Sequence, residues 1–127
     1  PFYIHHKNQE PLALAGLWSE WTDPDTGEMI NSFSIVTTEG NTMMSKIHNN
    51  PKLKGPRMPL ILPKELEDKW LESIEDDLDK KQIEELIVSY PEEELDSHTV
   101  QRLRGKEYPG NVASISEPFE YQELEFS

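Results

Sequence analysis

The chain has 127 residues, about the size of one domain. Its 25 Asp and Glu residues against 12 Lys and Arg give a formal charge of -13, which on average argues against a nucleic-acid partner. It contains no cysteine, which excludes disulfides, zinc–thiolate sites and a thiol nucleophile within this chain. No apolar run approaches the roughly 18 residues that cross a bilayer, so the composition fits a soluble intracellular protein without a membrane partner.

The first part of the sequence predicts strands joined by turns. PFYIHH (1–6) alternates like a strand, and the nearly continuous apolar run LALAGLW (12–18) is typical of a strand buried on both faces. The Pro, Asp and Gly content of TDPDTGE (22–28) predicts a hairpin loop, and SFSIVTT (32–38) predicts the antiparallel partner strand. No initiator Met is present and the first segment already looks like the middle of a sheet, so we expect a fragment or a processed product.

The central part predicts a short helix and a returning strand. In TMMSKIH (42–48), the i, i+3, i+4 spacing brings Met43, Met44 and Ile47 to one face of a helix. A loop follows, and RMPLIL (57–62) predicts a short apolar strand.

Two further helices are predicted in the acidic second part. Pro63 stands at a favoured first helical position ahead of KELEDKWLESI (64–74), and KKQIEELIVSY (80–90) predicts the next helix. The apolar residues expected to face the sheet are Leu66, Trp70, Leu71 and Ile74 in the first helix and Ile83, Leu86, Ile87 and Tyr90 in the second. Residues 91–105 are expected to be irregular or weakly helical, and a final strand (111–116) and an acidic tail (117–127) follow.

Together these elements predict the α+β class. We expect one domain over residues 1–127, with a mostly antiparallel, partly barrel-like sheet and two or three packed helices.

Three of the four histidines give no indication of a metal site. His5 and His6 are neighbours on a strand, so their side chains point to opposite faces and cannot easily share an ion. Neither has a second histidine or a carboxylate at ligand spacing, so we predict no metal and no cofactor. His98 lies in the irregular acidic region and is expected to be exposed. No G-x-S-x-G turn or glycine-rich phosphate loop is present.

Charge is segregated along the chain. From Gly40 to Lys64 there is no acidic residue, and the basic residues there are Lys46, Lys52, Lys54, Arg57 and Lys64. From Glu65 to Asp96 there are fourteen acidic residues, which are typical of a solvated helical face. The sequence therefore predicts one cationic stretch in an anionic protein.

His48 lies inside this cationic stretch. Its helix begins just after the strand end at Thr37 and Thr38, so a threonine, Asn41 and His48 can converge at one edge of the sheet. Cationic neighbours favour the neutral imidazole, which is suited to accept or relay a proton. The residues alone leave a second interpretation open, in which His48 is a helix-end histidine bonded to backbone.

Ordered blocks of the sequence resemble the second half of the SOS-response-associated peptidase domain. AGLWSEW (15–21), SFSIVTTEGN (32–41), MMSKIH (43–48) and RMPLIL (57–62) are similar, in that order, to the family pattern AGLWE.W, F.I.TT.AN,..IH and RMPVIL. The resemblance is strong over residues 1–71 and weak over 74–127. It implies that the chain is the C-terminal portion of such a domain.

The resemblance implies a role in the response to DNA damage. Proteins of this family recognise abasic sites in single-stranded DNA, and their amino-terminal cysteine forms a thiazolidine crosslink with the opened sugar. An asparagine, the glutamate of a FYEW-like motif and the histidine of the IH motif assist, and the peptidase activity removes residues ahead of the cysteine. The implied location is the cytoplasm of a bacterial cell, and no cofactor is implied.

Only part of this machinery has a counterpart here. By position, His48 matches the family histidine, which activates the aldehyde or relays protons around ring opening. Arg57 matches an arginine that would contact DNA phosphate, Thr37 would lie near the lesion phosphates, and Asn41 would shape the turn that presents them. The cysteine, the asparagine and the glutamate would belong to a missing first half ahead of Pro1, which is therefore an expected partner.

The sequence also departs from the family pattern. NNPKLKGP (49–56) is inserted between His48 and RMP, and its Lys52 and Lys54 could extend a DNA-facing loop, or the insertion could displace Arg57. Two alternatives remain open. One is an inactive acidic interaction module, and the other is a protease that acts on other proteins.

Overall fold

The computed structural model describes residues 1–48 and 50–124; Asn49, at the start of the insertion, and the last three residues of the predicted acidic tail lie outside this description. The chain divides into two compact units. One is formed by Leu12–Glu92, and the other combines Pro1–Pro11 with the described residues from Glu93 onwards. Within the described ranges, no helix is both long enough and apolar enough to cross a membrane.

The described residues form short strands and short helices. The strands are β1 (Phe2–His6), β2 (Ala13–Leu14), β3 (Gly16–Thr22), β4 (Met29–Ile35), β5 (Thr37–Glu39), β6 (Arg57–Pro59), β7 (Ile61–Leu62) and β8 (Leu95–Thr99). The α-helices are α1 (Thr42–Ile47), α2 (Glu67–Trp70) and α3 (Asp77–Glu84). Turns of 3₁₀ helix lie at Lys64–Leu66, Glu92–Glu94, Ala113–Ser116 and Gln122–Leu124.

The strands pair in four antiparallel ladders, β1 with β8, β2 with β7, β3 with β4 and β5 with β6. The α+β class and the antiparallel pairing predicted from the sequence are confirmed. The predicted hairpin joins β3 to β4. Its loop is held by Asp23, whose Oδ1 accepts hydrogen bonds from the backbone N–H of Asp25 at 2.7 Å and of Thr26 at 3.1 Å. Gly27 has a φ of 73°, the left-handed region that favours glycine.

The core of the Leu12–Glu92 unit lies where three strand junctions meet. Ala15, Leu60 and Leu62 are buried there, and Val36 and Trp70 pack against them. The Ala15 N–H donates to Leu60 O at 2.8 Å, the Leu60 N–H to Val36 O at 2.8 Å, and the Val36 N–H to Ala15 O at 2.9 Å. This closed set of hydrogen bonds fixes the starts of β3 and β5 and the end of β6 beside one another.

The prediction of one buried strand over residues 12–18 is wrong. The segment divides at Ala15, which is buried, whereas Leu17 and Trp18 are exposed. At Ala15 the backbone bonds to Leu60 and Val36, and from Gly16 onwards β3 pairs with β4 instead. An apolar run indicates that a strand can be buried, but burial requires a second layer, and the described residues do not provide one for this hairpin.

Both acidic helices differ from their predicted ranges. The first is a 3₁₀ turn followed by α2, which ends at Trp70 and leaves Leu71 and Ile74 exposed. The second, α3, begins earlier than predicted because Asp76 acts as its N-cap: the Asp76 Oδ1 accepts a hydrogen bond from the Asp79 N–H at 2.8 Å. The extended backbone of Asp76, with φ -143° and ψ 179°, cannot continue the preceding helix.

The smaller unit contains a strand that the sequence did not indicate. Residues 91–105 were expected to be irregular, but β8 pairs with β1 in a register that runs from Phe2↔Thr99 to His6↔Leu95. The predicted final strand over 111–116 is also wrong, since Ala113–Ser116 form a 3₁₀ turn. The partner of β8 lies at the other end of the chain, so local propensity does not indicate the pairing.

The histidines of this unit have neighbours within it. His98, which was expected to be exposed, is half-buried; its ring lies 5.4 Å from the ring of Tyr3 and 5.7 Å from that of His5. His6 Nε2 lies 3.3 Å from a carboxylate oxygen of Glu94. In the described part of the chain, no group of three or more His, Cys, Asp or Glu side chains is placed to hold a metal ion.

Candidate functional site

Helix α1 is only six residues long, and side chains at its first turn set its position. Asn41 is the N-cap: its Oδ1 accepts a hydrogen bond from the Met44 N–H at 2.9 Å, and its Nδ2 donates to Tyr90 O at 2.8 Å. An oxygen of the Glu92 carboxylate accepts a hydrogen bond from the backbone N–H of Met43 at 2.8 Å. Because both polar groups of Asn41 are engaged in this way, its side chain anchors the helix.

His48 ends this helix. Its backbone N–H donates to Met44 O at 2.7 Å, and its ring Nδ1 lies 3.1 Å from the carbonyl oxygen of Arg57, while the ring itself is exposed. A carbonyl oxygen only accepts hydrogen bonds, so Nδ1 carries the proton. In the neutral imidazole, Nε2 is then the basic nitrogen.

Arg57 links β6 to the end of β5. Its Nη2 donates to the backbone oxygen of Thr37 at 2.8 Å and to the Thr37 hydroxyl at 3.0 Å. A guanidinium has five N–H donors, so these two bonds leave further donors for a ligand. The Thr37 hydroxyl accepts from Arg57 and therefore still has its own hydrogen to donate.

These groups border one open cleft of about 650 Å³. The lining residues are Thr37, Glu39, His48, Leu53, Lys54, Gly55, Pro56 and Arg57. Arg57 and Lys54 carry positive charge against the single carboxylate of Glu39, and the imidazole of His48 lies on the same wall. The cleft therefore combines donors suited to an anion with a group that can exchange a proton.

The structure brings together some of the residues predicted from the sequence and not others. Thr37, His48, Lys54 and Arg57 line the cleft, whereas Asn41 and Lys52 are not among its lining residues. Lys52 is exposed in the inserted loop, where its backbone N–H donates to Asn50 Oδ1 at 3.0 Å. Sequence reasoning missed Glu39, which lies opposite Arg57 in the β5–β6 register. Pairing the segment TTE (37–39) with RMP (57–59) as antiparallel strands would have placed Glu39 opposite Arg57.

The cleft wall depends on a close approach between Gly40 and Pro56. The Gly40 N–H donates to Pro56 O at 2.8 Å, and a Cβ built on Gly40 would lie 3.0 Å from Pro56 Cβ and 3.2 Å from its carbonyl carbon. Most of the contacted atoms are backbone, so they cannot rotate out of the way. Only glycine fits this position without moving the loop.

Substitution Gly40→Ala is therefore expected to lower the free energy of unfolding by about 1–3 kcal/mol, the usual cost of overpacking. Urea unfolding of the purified chain measures this difference. Gly55→Ala is the matched control, because a Cβ on Gly55 meets no atom within 4 Å. Equal stability of the two variants would show that the Gly40–Pro56 contact does not constrain the loop.

Residues 1–106 match the family model described as SOS response associated peptidase (SRAP). The chain belongs to the SRAP family. The resemblance read from the sequence motifs is confirmed, and the matched region includes every residue of the cleft.

Named relatives of the SRAP chain come from bacteria, a phage and vertebrates. The Bacillus subtilis protein named Abasic site processing protein YoqW is 31% identical over 103 residues, which are 81% of this chain and 42% of YoqW. The Pongo abelii protein named Abasic site processing protein HMCES is 30% identical over 98 residues, which are 76% of this chain and 24% of that protein.

Solved structures give the same fold. A Bacteroides thetaiotaomicron protein superposes with a TM-score of 0.77 at 32% identity, covering 94% of this chain and 48% of that protein. A Bordetella bronchiseptica protein superposes with a TM-score of 0.59 at 24% identity, covering 76% of this chain and 43% of that protein. At this identity the likeness supports the fold alone. The SRAP chain thus spans less than half the length of these relatives.

Proposed function

We propose that this chain is the C-terminal portion of an SRAP domain that processes abasic sites in single-stranded DNA. Family membership and the names of relatives such as YoqW support the substrate class. The observation that carries the proposal is the cleft, where His48 is bonded through Nδ1 to the backbone of Arg57 while the Arg57 side chain extends to Thr37.

The cleft provides the donors that a DNA phosphate requires. A phosphodiester placed between Arg57 and Lys54 would accept hydrogen bonds from the remaining guanidinium N–H groups and from the ammonium. The Thr37 hydroxyl can donate a third hydrogen bond. These contacts would fix the position of the DNA backbone but would carry no information about the base sequence. This suits a lesion that can occur in any sequence.

His48 would act on the abasic sugar. Opening the sugar ring requires removal of the proton from the anomeric hydroxyl and delivery of a proton to the ring oxygen, which yields the aldehyde. A neutral imidazole performs both transfers in turn, by accepting the first proton on Nε2 and returning it. The hydrogen bond from Nδ1 to Arg57 O fixes the ring for this exchange.

The nucleophile of the reaction would lie outside this chain. The family cysteine condenses with the aldehyde to give a thiazolidine, and no cysteine occurs among the 127 residues. We therefore propose that a first half of the domain supplies the cysteine, and that the self-processing peptidase step also depends on it. This chain then contributes a phosphate-binding wall and the proton relay.

Binding of single-stranded DNA tests the first part of this proposal. The isolated chain is expected to bind an oligonucleotide with an abasic site, and the logarithm of the association constant should fall with the logarithm of salt concentration with a slope of about -1.4, for two phosphate contacts. Fluorescence anisotropy at several salt concentrations measures the slope. Absent binding, or binding that salt does not weaken, would favour the inactive acidic interaction module instead.

A further inference from the structure

Two side-chain hydrogen bonds join the start of α1 to residues 49 positions later in the same compact unit. Asn41 Nδ2 donates to Tyr90 O, and the backbone N–H of Met43 donates to a carboxylate oxygen of Glu92, both at 2.8 Å. Glu92 is one of fourteen acidic residues between positions 65 and 96, but it is half-buried. Its carboxylate is therefore engaged with the backbone of the helix.

Helix α1 depends on such contacts because it is short. It has six residues, whereas isolated helices of fewer than about 12–15 residues are marginal in water. The Met43 N–H is one of the first-turn donors that have no partner within a helix. The first turn of α1 contains no acidic residue, so Glu92 supplies from outside the negative charge that favours a helix N-terminus. Glu92 thus both stabilises the first turn and fixes its place.

The place of the first turn decides where His48 lies. The Ser45 N–H donates to Asn41 O at 2.9 Å and the His48 N–H to Met44 O at 2.7 Å, so backbone bonds connect one end of the helix to the other. His48 Nδ1 lies 3.1 Å from Arg57 O. A movement of about 0.5 Å away from this oxygen would remove the hydrogen bond. The orientation of the imidazole is therefore sensitive to a small shift of the helix.

We infer that Glu92 is a positioning residue for His48. Its carboxylate oxygen holds the helix where His48 Nδ1 meets Arg57 O, which leaves Nε2 as the basic nitrogen of the neutral ring. The use of Nε2 as a proton relay rests on the proposed function. The placement of the ring by Glu92 is independent of any DNA chemistry, so the two can be tested separately.

Two substitutions of Glu92 separate position from charge. Glu92→Gln keeps the length of the side chain and an oxygen that can accept from the Met43 N–H. Glu92→Asp keeps the charge but is one methylene shorter, so its oxygens are withdrawn from the helix. Long-range ¹H–¹⁵N correlation spectra of the isolated chain, at mildly alkaline pH where an imidazole is neutral, show which ring nitrogen of His48 carries the proton.

We expect the proton on Nδ1 in the wild-type chain and in Glu92→Gln, and a mixture of both tautomers in Glu92→Asp. In a protein that also carries a first half of the domain, Glu92→Asp should slow adduct formation about tenfold, because a misplaced catalytic group loses rate steeply with distance. Glu92→Gln should retain the rate. The affinity of both variants for single-stranded DNA without a lesion should be unchanged, since the bonds of Arg57 to Thr37 remain.

Glu93→Asp is the matched control. Glu93 is an exposed residue of the same 3₁₀ turn, and its shortening should change neither the tautomer of His48 nor the rate. A folded Glu92→Asp variant with the proton still on Nδ1 would overturn the inference. So would a folded Glu92→Gln variant that loses the Nδ1 proton, since charge and not position would then be required. Circular dichroism establishes folding, and if Glu92→Asp does not fold, the result for Glu92→Gln decides.

Failure of this inference differs from failure of the proposed function. If the tautomer responds to Glu92 as expected but removal of His48 leaves adduct formation unchanged, the positioning contact stands and the proton relay does not. If removal of His48 slows the adduct but Glu92→Asp alters neither the tautomer nor the rate, the relay stands and Glu92 does not position it.

Discussion

Replacing His48 with alanine in a fusion protein, in which the first half of YoqW is placed ahead of Pro1 of this chain, is expected to slow formation of the covalent DNA adduct by about 10²–10⁴-fold, the usual contribution of general acid–base catalysis. Alanine removes Nε2, which would relay the proton during ring opening, and also the bond from Nδ1 to Arg57 O. A time course of adduct formation on an abasic oligonucleotide, followed on denaturing gels, measures the rate.

Two comparisons separate a chemical role of His48 from a structural one. Lys46→Ala changes an exposed residue of the same helix and should leave the rate unchanged. The affinity of the His48→Ala variant for an oligonucleotide without a lesion should also be preserved, because the phosphate donors remain. An unchanged rate of adduct formation would reduce His48 to a helix-end residue bonded to backbone.

Replacing Arg57 with glutamine is expected to weaken binding of single-stranded DNA about tenfold at low salt and to reduce the salt slope by about 0.7, the loss of one phosphate contact. The substitution removes a positive charge that lines the cleft and the two hydrogen bonds to Thr37. Arg57→Lys keeps the charge but loses the guanidinium fork, so its slope should be retained while its affinity falls.

Lys64→Gln is the matched control for Arg57→Gln. Lys64 belongs to the same basic stretch of sequence but does not line the cleft. If the two variants lose affinity equally, binding depends on overall charge and the cleft is not the contact surface. A change confined to Arg57 supports a phosphate contact there.

The sequence predicted the local parts of the site and missed the contacts that depend on strand pairing. Helix α1 and His48 at its end follow from the spacing of Met43, Met44 and Ile47. The position of Glu39 opposite Arg57 depends on the β5–β6 register, which no local pattern fixes. The interpretation of His48 as a helix-end histidine bonded to backbone fits the contact of its Nδ1 with Arg57 O, and this contact does not involve Nε2, on which the proposed proton relay depends.

The α+β class was predicted correctly, and the individual elements that were predicted wrongly have a similar cause. The loop between β3 and β4 was predictable because Asp23 and Gly27 determine it locally. The strand β8 was not, because its pairing with β1 joins the two ends of the chain. Burial of Trp18 was expected from an apolar run, but burial depends on a covering layer as well as on the run itself.

The most direct test of the proposed function is adduct formation by the fusion compared with the isolated chain. Each protein is incubated with an abasic single-stranded oligonucleotide and resolved under denaturing, reducing conditions. We expect a covalent adduct from the fusion and none from the 127-residue chain, which lacks a cysteine. A stable adduct formed by the isolated chain, or its absence from a folded fusion that binds the DNA, would contradict the proposal.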